Sequence, residues 1–221
     1  MGKFIVIDGL DGSGKGTQSE LLAKRLAEAG KRVRLLSFPM YEAESSQLVK
    51  MYLGGALGDK PEDTGAYAAS SFYAMDRYVS YRTDWKKDID DPDTVVIANR
   101  FTTANAVHQL SKLPDCEWDS FLTWLWDYEY EKLGIPKPDT VIYLEMLPEI
   151  SMSLVNSRSA ETGQKKDIHE LDPTHLEKSY RAALYSSDKL GWRRIRCYED
   201  GKPLSIEAIG DVCLSAALEI L

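Results

Sequence analysis

A chain of 221 residues, 43% hydrophobic and 28% charged, is long enough to bury a substantial core and fits one α/β domain over 1–221. Its 27 basic against 35 acidic side chains give a formal charge of -8, which argues against general binding to nucleic acid or to an anionic membrane. Cys116, Cys197 and Cys213 are scattered and suit buried, reduced thiols; with no leader-like start and no apolar run long enough to span a bilayer, the expected location is cytoplasmic.

Phe4-Ile5-Val6-Ile7 reads as a buried strand running into Asp8-Gly9-Leu10-Asp11-Gly12-Ser13-Gly14-Lys15-Gly16-Thr17 and then a helix. Gly9, Gly12 and Gly14 allow successive N–H groups to turn inward around an anion, the helix start adds its dipole, and Lys15 adds a mobile positive charge. The spacing fits the P-loop motif with one departure, since Gly16 stands where a magnesium-binding hydroxyl is usual and Thr17 follows. Magnesium is therefore expected to be held through waters and phosphate oxygens, with Asp8 and Asp11 as the nearby acids.

Leu21, Leu22, Leu26 and Ala29 continue that helix to a stop at Gly30, and Val33 to Ser37 forms the next strand. Phe38-Pro39-Met40-Tyr41 at its end reads either as part of a ligand crevice or as a hydrophobic plug. A short helix over 45–53 precedes a long one, capped by Asp63 or Thr64 and continuing to about Lys87. On it Tyr73 and Arg77, four apart, share a face, as a stacking ring and a hydrogen-bonding fork or as a core aromatic with a surface ion pair. The strand over 93–98 ends in Asn99-Arg100-Phe101, which aims a guanidinium at the crevice, and Asn105, His108 and Gln109 follow on a helix. Trp118 to Leu133 carries a broad apolar face, Val141 to Leu144 is a strand, and Pro148 opens a helix to about Asn156. The polar segment from Arg158 to Leu171 is either a solvated loop or a basic flap that closes over phosphates. A helix from Asp172 or Pro173 to Leu190, a last strand over 194–198 and a terminal helix from Ser205 complete an α/β chain with a mainly parallel sheet.

The P-loop, Phe38-Pro39, Phe72-Tyr73-Ala74-Met75-Asp76-Arg77, Arg100 and the basic segment with Asp167 and Glu170, in that order, resemble thymidylate kinases, which are P-loop nucleoside monophosphate kinases. The resemblance implies a five-stranded parallel sheet flanked by helices, a LID over about 157–172, a homodimer, and magnesium-dependent transfer from ATP to thymidine monophosphate. It implies that Gly9, Gly12, Ser13, Gly14, Lys15, Gly16, Thr17, Lys165 and Lys166 meet ATP. It puts Asp11 on the sugar 3′-hydroxyl, Phe38 and Pro39 by the sugar, Tyr73, Arg77 and Asn105 on the base, and His108 and Gln109 nearby. Lys15, Arg100, Arg158 and position 99 would serve catalysis, with Arg100 bridging donor and acceptor phosphates. Two departures bear on activity: Asn99 replaces an acid, and Met40 stands where an arginine holds the acceptor phosphate. They leave open a kinase for another nucleoside monophosphate or a catalytically weak nucleotide-binding relative.

Overall fold

The computed structural model describes residues 1–58, 60–162 and 173–221; the expectations for Lys165, Lys166, Asp167 and Glu170, and for the side chain of Arg158, lie outside the described residues. In chain order the elements are β1 (Lys3–Gly9), α1 (Lys15–Glu28), β2 (Arg32–Ser37), α2 (Gln47–Leu53), α3 (Ala66–Ser80), α4 (Lys86–Asp90), β3 (Thr94–Asn99) and α5 (Thr102–His108). There follow α6 (Trp118–Trp126), β4 (Thr140–Glu145), α7 (Pro148–Thr162), α8 (Pro173–Leu190), β5 (Arg193–Arg196), the short β6 (Tyr198–Glu199) and β7 (Lys202–Pro203), and α9 (Ile206–Leu218).

The first five strands make a parallel sheet in the order β2-β3-β1-β4-β5. β1 is central and covered on both faces, which is why its sequence is a continuous apolar run. Alternate residues divide between two cores: Phe4 and Val6 pack with Trp85, Phe101 and Phe121, while Ile5 and Ile7 pack with Leu22, Leu26 and Ile209. The chain leaves β1 for β2 on one side and later leaves β3 for β4 on the other, so the crevice opens between the carboxyl ends of β1 and β3.

Several boundaries differ from the sequence expectation. Asp63 does not cap the long helix, because its Oδ2 accepts from Lys60 N at 3.0 Å and closes a separate turn; Gly65 precedes α3 instead. α3 passes through a π-helical turn, Tyr81–Trp85, into α4 and so reaches Asp90. α7 runs on to Thr162, which makes the start of the polar segment helical. The expected last strand ends at Arg196, and Tyr198 turns back on Pro203 in a hairpin around Asp200-Gly201. Cys197 and Cys213 are buried as expected, but Cys116 is exposed, since it lies in a surface turn, Asp115–Glu117. Among the described residues no helix is long and apolar enough to cross a membrane.

Candidate active site

The loop between β1 and α1 forms a cradle for steric reasons. Gly12 and Gly14 take φ of 83° and 84°, and a Cβ on Gly12 would lie 2.4 Å from the Ser151 carbonyl oxygen. The first turn of α1 has no side-chain cap, so its N–H groups and dipole face the loop unopposed by a protein acceptor of that kind. Lys15 is not the exposed, mobile cation the sequence suggested: it is 8% exposed, and Nζ donates to Leu10 O and Asp11 Oδ1, both at 3.1 Å. Burial and the Arg100 charge lower its pKa, and Asp11 and Asp8 oppose that shift. At Gly16 a Cβ would meet only Asn99 Nδ2 at 3.7 Å, so space does not explain the missing hydroxyl.

Arg100 completes the charge cluster. Its φ of 65° is unusual for a residue with a side chain, and its N–H donates to Ile7 O at 3.0 Å, tying the end of β3 to β1. Its Nη2 pairs with Asp11 Oδ1, the oxygen that also takes Lys15. Burial pushes the Asp11 carboxyl up, but Arg100 and Lys15 more than offset this and hold it well below the ordinary carboxylate range. Asp8 is fully buried, accepts from Gly9 N at 2.8 Å and from Thr103 Oγ1, and is raised by burial. Burial and Arg100 hold the His108 ring well below the usual histidine pKa, so it is neutral at neutral pH, and it stacks on His175 at 5.8 Å.

The second half of the site lies on the β2–α2 turn and on α3 and α5. Phe38 is 4% exposed and packs against Phe101 and Trp85 at ring separations of 5.6 and 6.2 Å, so its ring belongs to the core; the Phe38-Pro39 peptide is cis. The ring thus fits the hydrophobic-plug reading of this turn, while Phe38 N donates to Asn99 O at 3.0 Å and brings the backbone of the turn beside Arg100. Tyr73 packs edge-on against Tyr52 at 6.3 Å. Arg77 is 1% exposed, so it forms no surface ion pair: Nε and Nη2 grip Glu129 at 2.7 and 2.6 Å, and Nη1 donates to Phe101 O at 3.3 Å. Asn105 joins the same network, and Gln109 is buried at the end of α5.

Sequence reasoning missed two carboxylates. Asp76, fully inside, accepts from Met40 N at 2.9 Å and Ser45 Oγ at 2.6 Å, and so fixes the Phe38-Pro39-Met40 turn. Glu129, in the π-helical turn Asp127–Lys132 that continues α6, could have been found by phase, because it falls four and eight residues after Leu125 and Phe121, on the apolar stripe of that helix. A charge on such a stripe signals a buried partner.

The residues suit a hard cation held mainly by phosphates and water. The Asn99 amide donates to Ser37 Oγ at 3.2 Å while its Oδ1 is buried without a partner, and Asp8 supplies a second oxygen group. Among the described residues no cluster of three acids, histidines or cysteines could hold a metal unaided.

A sequence model described as thymidylate kinase matches residues 7–186. The chain is 28% identical over 191 residues to thymidylate kinase of Mycobacterium tuberculosis, covering 86% of this chain and 87% of that protein. It is 30% identical over 166 residues to a probable thymidylate kinase of Thermococcus gammatolerans, covering 73% and 74% of the two chains. The solved structure of Candida albicans thymidylate kinase superposes with a TM-score of 0.69 at 20% identity, over 99% of this chain and 92% of that one, a likeness of fold.

Proposed function

The chain belongs to the thymidylate kinase family, and we propose that it transfers the γ-phosphoryl group of ATP to thymidine monophosphate. The observation that carries this reading is the convergence of Lys15 and Arg100 on one carboxylate, Asp11, beside the uncapped start of α1. A buried lysine and a half-buried arginine held within reach of a phosphate cradle supply what phosphoryl transfer demands, alignment and positive charge, and little covalent chemistry is left for the protein.

In this assignment the amides of Gly12, Gly14, Gly16 and Thr17 cradle the ATP phosphates, Gly9 and Ser13, whose N–H groups bond Asp8 and Leu10, shape the loop around them, and Lys15 neutralises the group in transit. An acceptor-phosphate oxygen attacks the γ-phosphorus as the bond to the β-phosphate oxygen breaks, and Arg100 spans the two. Asp11, kept ionised by its neighbours, hands both cations to the phosphates and accepts from the sugar 3′-hydroxyl. Tyr73 stacks on the base, Arg77 and Asn105 meet its edge, and His108, Gln109, Phe38 and Pro39 shape the sugar side. Arg158, Lys165 and Lys166 would add positive charge for the phosphates, as the family resemblance implies. Magnesium, near Asn99 Oδ1 and Asp8, would spread charge over the β- and γ-phosphates when bound.

An ADP-release assay over a panel of nucleoside monophosphates tests the function. Thymidine monophosphate should give the highest kcat/KM, with turnover of about 1–100 per second; no turnover with any of them would overturn the reading. The proposal extends to a homodimer, supported by apolar side chains exposed on α2 and α3, Leu48, Met51 and Val79. Light scattering should give twice the 24.9 kDa chain mass, and a monomer at micromolar concentration would remove it.

A further inference from the structure

The side chain of Glu129, with no exposed surface, takes four donors: Arg77 Nε at 2.7 Å, Arg77 Nη2 at 2.6 Å, Thr102 Oγ1 at 2.9 Å and Asn105 Nδ2 at 3.3 Å. This fixes what two neighbours can offer a ligand. Arg77 has five N–H groups. Glu129 takes two and the Phe101 carbonyl takes a third, which leaves one on each terminal nitrogen. The two Asn105 amide hydrogens go to Glu129 and to the Ser70 carbonyl, each at 3.3 Å. Both partners are acceptors, so the amide has one orientation, and only its Oδ1 remains to accept.

We propose that Glu129 is a positioning residue that sets the order of donor and acceptor facing the base, and thereby selects a pyrimidine with a carbonyl at C4 and a hydrogen on N3 over a 4-aminopyrimidine. The proposal rests on the reading that Arg77 and Asn105 meet the base edge. A C4 carbonyl accepts from Arg77, and N3–H donates to Asn105 Oδ1. A 4-amino group would bring a hydrogen against the guanidinium and a lone pair against Oδ1, both mismatched in a closed site. Glu129→Gln replaces one acceptor oxygen by a donor amide. In either orientation that amide faces an N–H of Arg77, and in one it also faces the Asn105 amide, so the order of donor and acceptor that matches the thymine edge is no longer enforced.

The test compares kcat/KM for thymidine and deoxycytidine monophosphates in the parent and in Glu129→Gln, with melting curves to identify folded protein. Preference for the thymine nucleotide should fall by about 10-fold or more in the variant. An unchanged ratio in folded variant, or equal losses for both substrates, would overturn the proposal, since a merely structural glutamate would scale both alike. Should Glu129→Gln fail to fold, the parent decides: the N3-methyl analogue of thymidine monophosphate should bind at least 10-fold more weakly than the parent nucleotide, and equal binding sinks the idea. Parent enzyme that phosphorylates no pyrimidine monophosphate would instead refute the proposed function.

Discussion

Lys15 and Arg77 show how two buried basic side chains do different work according to their neighbours. Lys15 is buried, yet its bonds run to a local carbonyl and to a carboxylate that Arg100 also holds, so its removal leaves Asp11 partnered. We expect Lys15→Ala to retain the far-ultraviolet dichroism of the parent while turnover falls by about 10²–10³-fold; near-parent turnover would refute the phosphate-loop role. Arg77 is the opposite case. Glu129 is fully enclosed, and Arg77→Ala strands its carboxylate with only the Thr102 and Asn105 donors. Such a change costs about 3–5 kcal/mol, so urea unfolding should show a loss of that size. The rise in the Michaelis constant for the monophosphate expected of a base-reading residue must then be measured on folded protein.

At the scale of elements, a lysine joins α2, the segment before α3 and the turn after α5. Lys112 Nζ donates to Tyr52 Oη at 2.7 Å and Thr64 O at 3.1 Å, and Tyr52 in turn supports Tyr73. Burial lowers the Lys112 pKa to about 7, with Glu62 opposing. Below about pH 7 the folded protein bears the full cost of a buried charge, and the cost is relieved as pH rises from there toward the ordinary lysine value near 10.4. Stability of the parent relative to Lys112→Met should therefore increase between about pH 6.5 and pH 9. Melting temperatures of both proteins at the two pH values check this, and a pH-independent gap would show that Lys112 does not titrate in that window.

On the scale of the whole molecule the sheet is closed on both faces, and one face is held by aromatic packing from distant segments. Trp85 is fully buried, its ring lies 5.8 Å from Phe4, 6.1 Å from Phe101 and 6.2 Å from Phe38, and its Nε1 donates to Ser80 Oγ at 3.2 Å. Because these rings back the turn next to Arg100, core and site share material. Trp85→Ala should lower unfolding free energy by about 3–5 kcal/mol, read from a shift of the denaturation midpoint with little change in slope. A shift below 1 kcal/mol would mean that the neighbours collapse into the space.

The phosphate loop, the strand that feeds it and the order of strands and helices were legible in the sequence because each depends on residues close together in the chain. Phe4 to Ile7 is apolar whichever face it covers, and Gly12 and Gly14 are needed wherever φ must be positive. Arg100 at its strand end and the shared face of Tyr73 and Arg77 were also readable from the sequence, and the family resemblance added the roles expected of them. Which polar groups are already engaged was decided only in three dimensions. Glu129 meets Arg77 across 52 residues and Asp76 meets Met40 across 36, and no local pattern states that either pair will form. The same holds for Asp11, whose bond to Lys15 spans four residues but whose bond to Arg100 spans 89. Hydrogen-bonding capacity is finite, so what a side chain can offer a ligand is what remains after folding has used its share, and that remainder is a property of the packed molecule.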